Sequence, residues 1–132
     1  MIFVDTSFWV AVALARDARH GLARQLLRAH GDGPLVTSNH VRAETWTFLR
    51  RRAGHHAALD FLDRIERSPR VKVLFVDERL ERQALRWLKG HAEREYSFVD
   101  ATSFALMRSL RIRAALAFDG DFAAAGFIEL RE

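Results

Sequence analysis

Cysteine is absent from this 132-residue sequence. That one absence removes disulfides, thiolate metal ligands and a cysteine nucleophile, and it suits a reducing cytoplasm. Proline is nearly as scarce, and its two residues fall in "HGDGP" (30–34) and "RSPR" (67–70), the clearest breaks in the chain. There is no internal repeat, low-complexity tract or linker, and the length suits one domain, 1–132. No apolar run approaches the roughly 20 residues that a membrane span needs. The segment "FWVAVALA" ends in an Ala-x-Ala-like stretch, yet no Lys or Arg precedes it and Asp5 interrupts the apolar run, so it does not read as a secretory signal. The chain reads as soluble and cytoplasmic.

Lysine is the other scarce residue. All but Lys72 and Lys89 of the 21 bases are arginines, set against 17 acids for a net charge of +4. A balance this small says little alone. If four acids were committed to a cation, the rest would carry 21 bases against 13 acids, and arginine is the base that grips phosphate with two parallel hydrogen bonds. A polyanionic partner would follow; genome composition or heat tolerance explains the same richness without one.

Short apolar runs alternate with longer amphipathic segments. Residues 2–4, 35–36, 71–76, 114–118 and 127–130 read as strands. Helices are predicted over 6 to about 15, 18–30, 39 to about 52, 55–67, 77–89 and 100–111, with a short one from about Phe122. Strands separated by helices imply right-handed crossovers and a parallel sheet covered on both faces. In such sheets a ligand sits beyond the carboxyl ends of the strands, where the chain order reverses. The residues just after each strand therefore carry the chemistry.

Acids stand at those places. Asp5 follows the first strand, where "DTS" is also a good helix cap. Asp100, in "YSFVDATSFALM", opens a helix apolar almost all round; capping competes there too, and the helix dipole would keep the carboxylate ionised as a ligand must be. Asp119 and Asp121, in "FDGDF", follow the fourth strand, and either can cap the next helix. Asp119 is assigned as the primary ligand and Asp121 as accessory, an order that could be reversed. Glu44, in "SNHVRAETWTFLRRR", lies three residues after Val41 and four before Phe48, beside a core-facing stripe, where a charge is costly unless paired or bound to a cation.

Several carboxylates cannot stay ionised together without a compensating charge. An all-oxygen set without cysteine or organised histidine selects Mg²⁺ or Mn²⁺, ions that keep waters and meet substrate phosphates. One or two such ions can activate water and clamp a phosphodiester.

With "FVDTS", "SNHVRAE", "SFVDATSFAL" and "FDGDFAAAGFIEL" in this order over nearly the whole length, the chain resembles the PIN-domain ribonucleases, most closely the VapC-like toxins of toxin-antitoxin pairs. The resemblance implies an α/β fold, a three-layer α/β/α domain with a central parallel sheet of four to five strands. It implies Mg²⁺ or Mn²⁺ at Asp5, Glu44, Asp100 and Asp119, with Asp121 assisting. It further implies RNA cleavage to 5′-phosphate and 3′-hydroxyl ends, a homodimer, and a small antitoxin whose tail fills the site. Where the family often carries threonine two residues before the fourth acid, this chain has Ala117, which removes one hydroxyl from the site.

Other features read more simply. Arg50, Arg51 and Arg52 end a helix, where cations complement the dipole, with RNA phosphate as the competing role. The six histidines lack zinc-site spacing. Trp9, Trp46 and Trp87 suit core or subunit packing better than base stacking. An aspartyl-phosphate phosphatase would need an acid where Ser7 stands, and a receiver domain would need paired acids after its first strand and a lysine after its last. A degenerate module that only binds RNA or a partner would be expected to have lost acids from the cluster.

Overall fold

The runs rich in Val, Ile, Leu and Phe pair edge to edge. In the computed structural model, which describes residues 1–132, Ile2–Val4 (β1), Leu35–Ser38 (β2), Val71–Leu74 (β3), Ala114–Leu116 (β4) and Ile128–Glu129 (β5) form one parallel sheet. The strand order is β3-β2-β1-β4-β5. Phe3 sits opposite both Val36 and Ala115, which makes β1 the central strand.

Seven helices complete the chain: Thr6–Ala13 (α1), His20–Ala29 (α2), Asn39–Ala53 (α3), His55–Arg67 (α4), Glu78–Lys89 (α5), Phe98–Ser109 (α6) and Asp121–Ala124 (α7). The sheet grows outward from β1 in one direction through β2 and β3, then in the other through β4 and β5. With right-handed crossovers, that reversal puts α1 to α4 on one face and α5 to α7 on the other. Within each face α1 meets α2 and α3, α3 meets α4, and α5 and α7 both meet α6, while α3 also meets α6 from the other face. The expected three-layer α/β/α domain is what forms, and its sheet has five strands. No helix is long and apolar enough to cross a membrane.

Several expected boundaries move, each for a hydrogen-bonding reason. The helix expected from Asp100 starts at Phe98, because Ser97 caps it and Asp100 closes a capping box from the third helical position. The strand expected to reach Val76 stops at Leu74, since the Val76 amide is taken by Asn39 Oδ1 at 2.8 Å. The strand expected to reach Phe118 stops at Leu116, and the Phe118 amide goes to Ser7 Oγ at 2.9 Å. The helix expected from Ala18 begins at His20, because Arg19 N donates to Asp17 Oδ1 in a local turn. The first helix ends at Ala13. β2 runs on to Ser38, which then caps α3 by accepting from Val41 N.

The core is densest around α6, which buries every residue from Asp100 to Met107. Phe104 is its hub, with ring centroids 5.0 Å from Phe122, 5.2 Å from Trp87, 5.4 Å from Phe127 and 5.7 Å from Tyr96. Trp9 is buried and donates to Thr37 Oγ1 at 3.3 Å, while Trp46 packs edge-on against His55. Both Trp9 and Trp87 therefore serve the core. Truncating Phe104 to alanine empties the centre of the aromatic cluster, and urea unfolding of Phe104→Ala is expected to show a loss of about 3–5 kcal/mol.

Candidate active site

Strand order decides where the acids meet. β1 and β4 are neighbours, yet the chain leaves β1 toward β2 and leaves β4 toward β5, so a crevice opens between their carboxyl ends. Asp5 follows β1 directly and Asp119 lies on the turn after β4, one on each side of that crevice. Asp100 reaches it from the first turn of α6. One carboxylate oxygen from each of Asp5, Asp100 and Asp119 lies within 4.8 Å of the other two.

Asp5 is held by Ser7, whose backbone N–H and hydroxyl both donate to Oδ2, at 3.2 and 2.8 Å. The same hydroxyl accepts from Phe118 N at 2.9 Å, so Ser7 ties the ends of β1 and β4 together. Asp100 is held in its capping box: Ser97 N donates to its Oδ2 at 3.0 Å, and its own N–H donates to Ser97 Oγ at 2.9 Å. Capping and convergence thus coexist in the same two carboxylates. Asp119 Oδ1 accepts from Asp121 N at 3.1 Å, fixing the turn that carries it.

An open cleft of about 790 Å³ runs over the triad, and Glu44 and Asp121 line it too. Glu44 is half-buried on α3 and lies outside the tight group of three. Its helix is pinned next door, where Thr45 Oγ1 donates to Thr6 Oγ1 at 3.2 Å, linking α3 to α1. Asp121 is ion-paired to Arg94 at 2.6 Å. The structure therefore groups Asp119, and not Asp121, with Asp5 and Asp100. Arg16, Arg19 and Arg52 also face the cleft. Arg19 is braced there by donation to the Phe118 carbonyl at 3.1 Å and by the Phe118 ring at 5.1 Å. Ala117 is fully buried, with no side-chain hydroxyl to offer.

Three residues of this arrangement escaped the sequence reading. Ser97 was discoverable, because Ser-x-x-Asp before an apolar run is a capping-box pattern. Ser7 and Arg94 were not, since their partners Phe118 and Asp121 are distant in sequence.

The triad's electrostatics follow from burial. Asp5 and Asp100 are only 2% and 5% exposed. Removal from water pushes the Asp5 carboxyl well above the usual carboxylate range, Asp119 adds to the rise, and the Ser7 bonds oppose it. Burial likewise raises Asp100 to about 7, with Asp119 and Asp121 contributing. Asp119 is raised as well, by partial desolvation and then by the charges of Asp121 and Glu129. A cluster that resists ionisation when empty, with oxygen donors only, fits a hard divalent cation that would let all three carboxylates charge together.

Comparison with known proteins agrees with this geometry. Residues 2–128 match the PIN domain model. This chain belongs to the PIN domain family. Within it, the chain is 58% identical over 131 residues to the "23S rRNA-specific endonuclease VapC20" of two Mycobacterium tuberculosis strains, CDC 1551 / Oshkosh and H37Rv, covering 99% of this chain and 98% of each relative. A crystal structure of Mycobacterium tuberculosis VapC20, titled a Sarcin-Ricin loop cleaving toxin, superposes with a TM-score of 0.94 at 56% identity and covers 100% of both chains. The expected kinship with VapC-like PIN ribonucleases is borne out.

The raised carboxyls carry a pH signature. A carboxyl whose folded pKa lies above its unfolded one stabilises the protein fully below the unfolded value, and that stability is lost as pH rises through the folded value. Metal-free protein is therefore expected to lose stability between about pH 4 and a midpoint near 7, as Asp100 ionises. Asp100→Asn keeps an acceptor for Ser97 N without the charge. Thermal melts in EDTA above pH 7 are expected to show this variant more stable than wild type, with the order reversed when Mn²⁺ is added.

Proposed function

We propose that this chain is a Mg²⁺- or Mn²⁺-dependent endoribonuclease, the toxin of a toxin-antitoxin pair, and that its substrate is the sarcin-ricin loop of 23S rRNA. The observation that carries the reading is the convergence of Asp5, Asp100 and Asp119 at the switch point between β1 and β4. The substrate rests on likeness to VapC20 over the full chain.

In this reading Asp5, Asp100 and Asp119 hold the ion, and Glu44 and Asp121 complete the acidic wall. When bound, the ion supplies Lewis-acid chemistry: it lowers the pKa of water and neutralises charge on a phosphodiester. The chain's own residues do the rest. Ser7 and Ser97 fix the two buried carboxylates, so that little reorganisation accompanies binding. The arginines at the mouth receive the phosphates on either side of the scissile one, and Arg19 is already oriented by Phe118. Hydrolysis leaves a 5′-phosphate and a 3′-hydroxyl.

The partners follow the family: an RNA substrate, a small antitoxin protein and a second copy of this chain in a homodimer, all in the cytoplasm. Phe48 and Phe98, 38% and 41% exposed beside the cleft, support a face that a second copy covers. The retained acids disfavour a degenerate binding module. The position two residues after Asp5 holds Ser7 in place of a second acid, which leaves no general acid for an aspartyl-phosphate phosphatase.

A synthetic sarcin-ricin hairpin is the direct substrate. Cleavage is expected with Mg²⁺ or Mn²⁺ and to vanish in EDTA. Asp5→Asn and Asp100→Asn are expected each to slow it by at least about 100-fold, the scale of losing one group that stabilises transition-state charge, with the fold intact by circular dichroism. Cleavage that persists in both variants would overturn the assignment.

A further inference from the structure

Asp121 lines the cleft beside the triad, but its charge is already taken. Arg94, in the loop between α5 and α6, sets Nε 2.6 Å from Asp121 Oδ1 and donates through Nη2 to the Asp119 carbonyl at 3.1 Å. Gly120 makes room for this. It has a left-handed backbone, φ +81°, and a Cβ there would stand 3.0 Å from Arg94 Nη2. Residues 119 and 121 thus hold one guanidinium between them, through a carbonyl and a carboxylate, and Gly120 leaves it room.

The consequence is electrostatic. Two-metal phosphodiesterases hold their ions about 3.5–4 Å apart, and a second divalent ion beside the triad would draw on carboxylates outside it. Of the further acids lining the cleft, which include Glu44, Asp121 is the one tied directly to Asp119, through its amide, and the partly exposed Arg94 guanidinium pairs with it first. A second divalent ion would have to break this ion pair or sit against a permanent positive charge, since arginine does not deprotonate in proteins.

We infer that Arg94 stands in for a second divalent ion, reserving Asp121 and limiting the centre to one metal per chain. The inference rests on the proposed metal role of Asp5, Asp100 and Asp119. Arg94 is a positioning residue in this account: it orders the turn that carries Asp119 and sets how many cations the cleft accepts.

Manganese binding to the full chain, followed by the electron paramagnetic resonance signal of free Mn²⁺, tests this without reference to activity. Wild type is expected to bind one Mn²⁺ per chain, and Arg94→Ala two. Arg94→Lys keeps the charge and is expected to remain at one, as is Asp121→Asn, whose carboxylate is engaged by Arg94 rather than by a metal. The double variant Arg94→Ala/Asp121→Asn is expected to return to one. Two ions bound by wild type, or one ion bound by Arg94→Ala at wild-type affinity, would overturn the inference and leave the metal reading standing. No Mn²⁺ binding by wild type would overturn both.

Discussion

Burial of the Asp5, Asp100 and Asp119 carboxyls, together with their mutual repulsion, is the constraint around which this molecule is organised. Three carboxylates share a space 4.8 Å across, and two of them are buried. Such an arrangement is unfavourable unless protons or a cation occupy it, and the rise of all three carboxyls shows the protonated alternative. Stability that could have come from separating these charges is given up at one end of the sheet. The aromatic cluster around Phe104 and the buried length of α6 offset it, and they also hold Asp100 in place. Core packing and the site are therefore one structure: α6, the most buried helix, presents its first turn to the crevice.

Around the triad, small polar residues do the orienting. Ser7 bridges β1 and the end of β4 while holding Asp5, and Ser97 holds Asp100. Each bonds a single oxygen of its carboxylate, Oδ2 in both cases. The same cleft is lined by Arg16, Arg19 and Arg52, with Asp17, Glu44 and Glu95 among them, and the Arg94–Asp121 pair adjoins the triad. Arg19 is held by the Phe118 carbonyl and ring, which would lower the entropy lost in the phosphate contact proposed for it.

Much of this was legible in the sequence because it depends on the order of elements. Alternating apolar runs and amphipathic segments gave the parallel sheet, and parallel topology alone puts residues after β1 and β4 at one crevice. Asp5 and Asp119 could be named on that ground. Asp100 was legible through its apolar helix, although the helix begins two residues earlier, at Phe98, because a capping box outweighs the start of the apolar pattern. Glu44 follows from its position beside the Val41 and Phe48 stripe, and it lines the cleft without joining the close group. The strand ends at Leu74 and Leu116 were not legible, since the bonds that end those strands come from Asn39 and Ser7, distant in sequence. Arg94 was hidden for the same reason: its loop has no periodicity, and its partner is 27 residues away. Local chemistry reads out of a sequence; tertiary pairing of single polar side chains does not.

The account stands on the acids accepting a divalent ion as a group. Crystals soaked in Mn²⁺ and measured for anomalous scattering give the most direct answer. The prediction is a peak at about 2.0–2.3 Å from one oxygen of each of Asp5, Asp100 and Asp119, the range for hard cations on carboxylates. A map with no peak in the cleft at neutral pH, or with the ion held elsewhere and the three carboxylates unmoved, would contradict it.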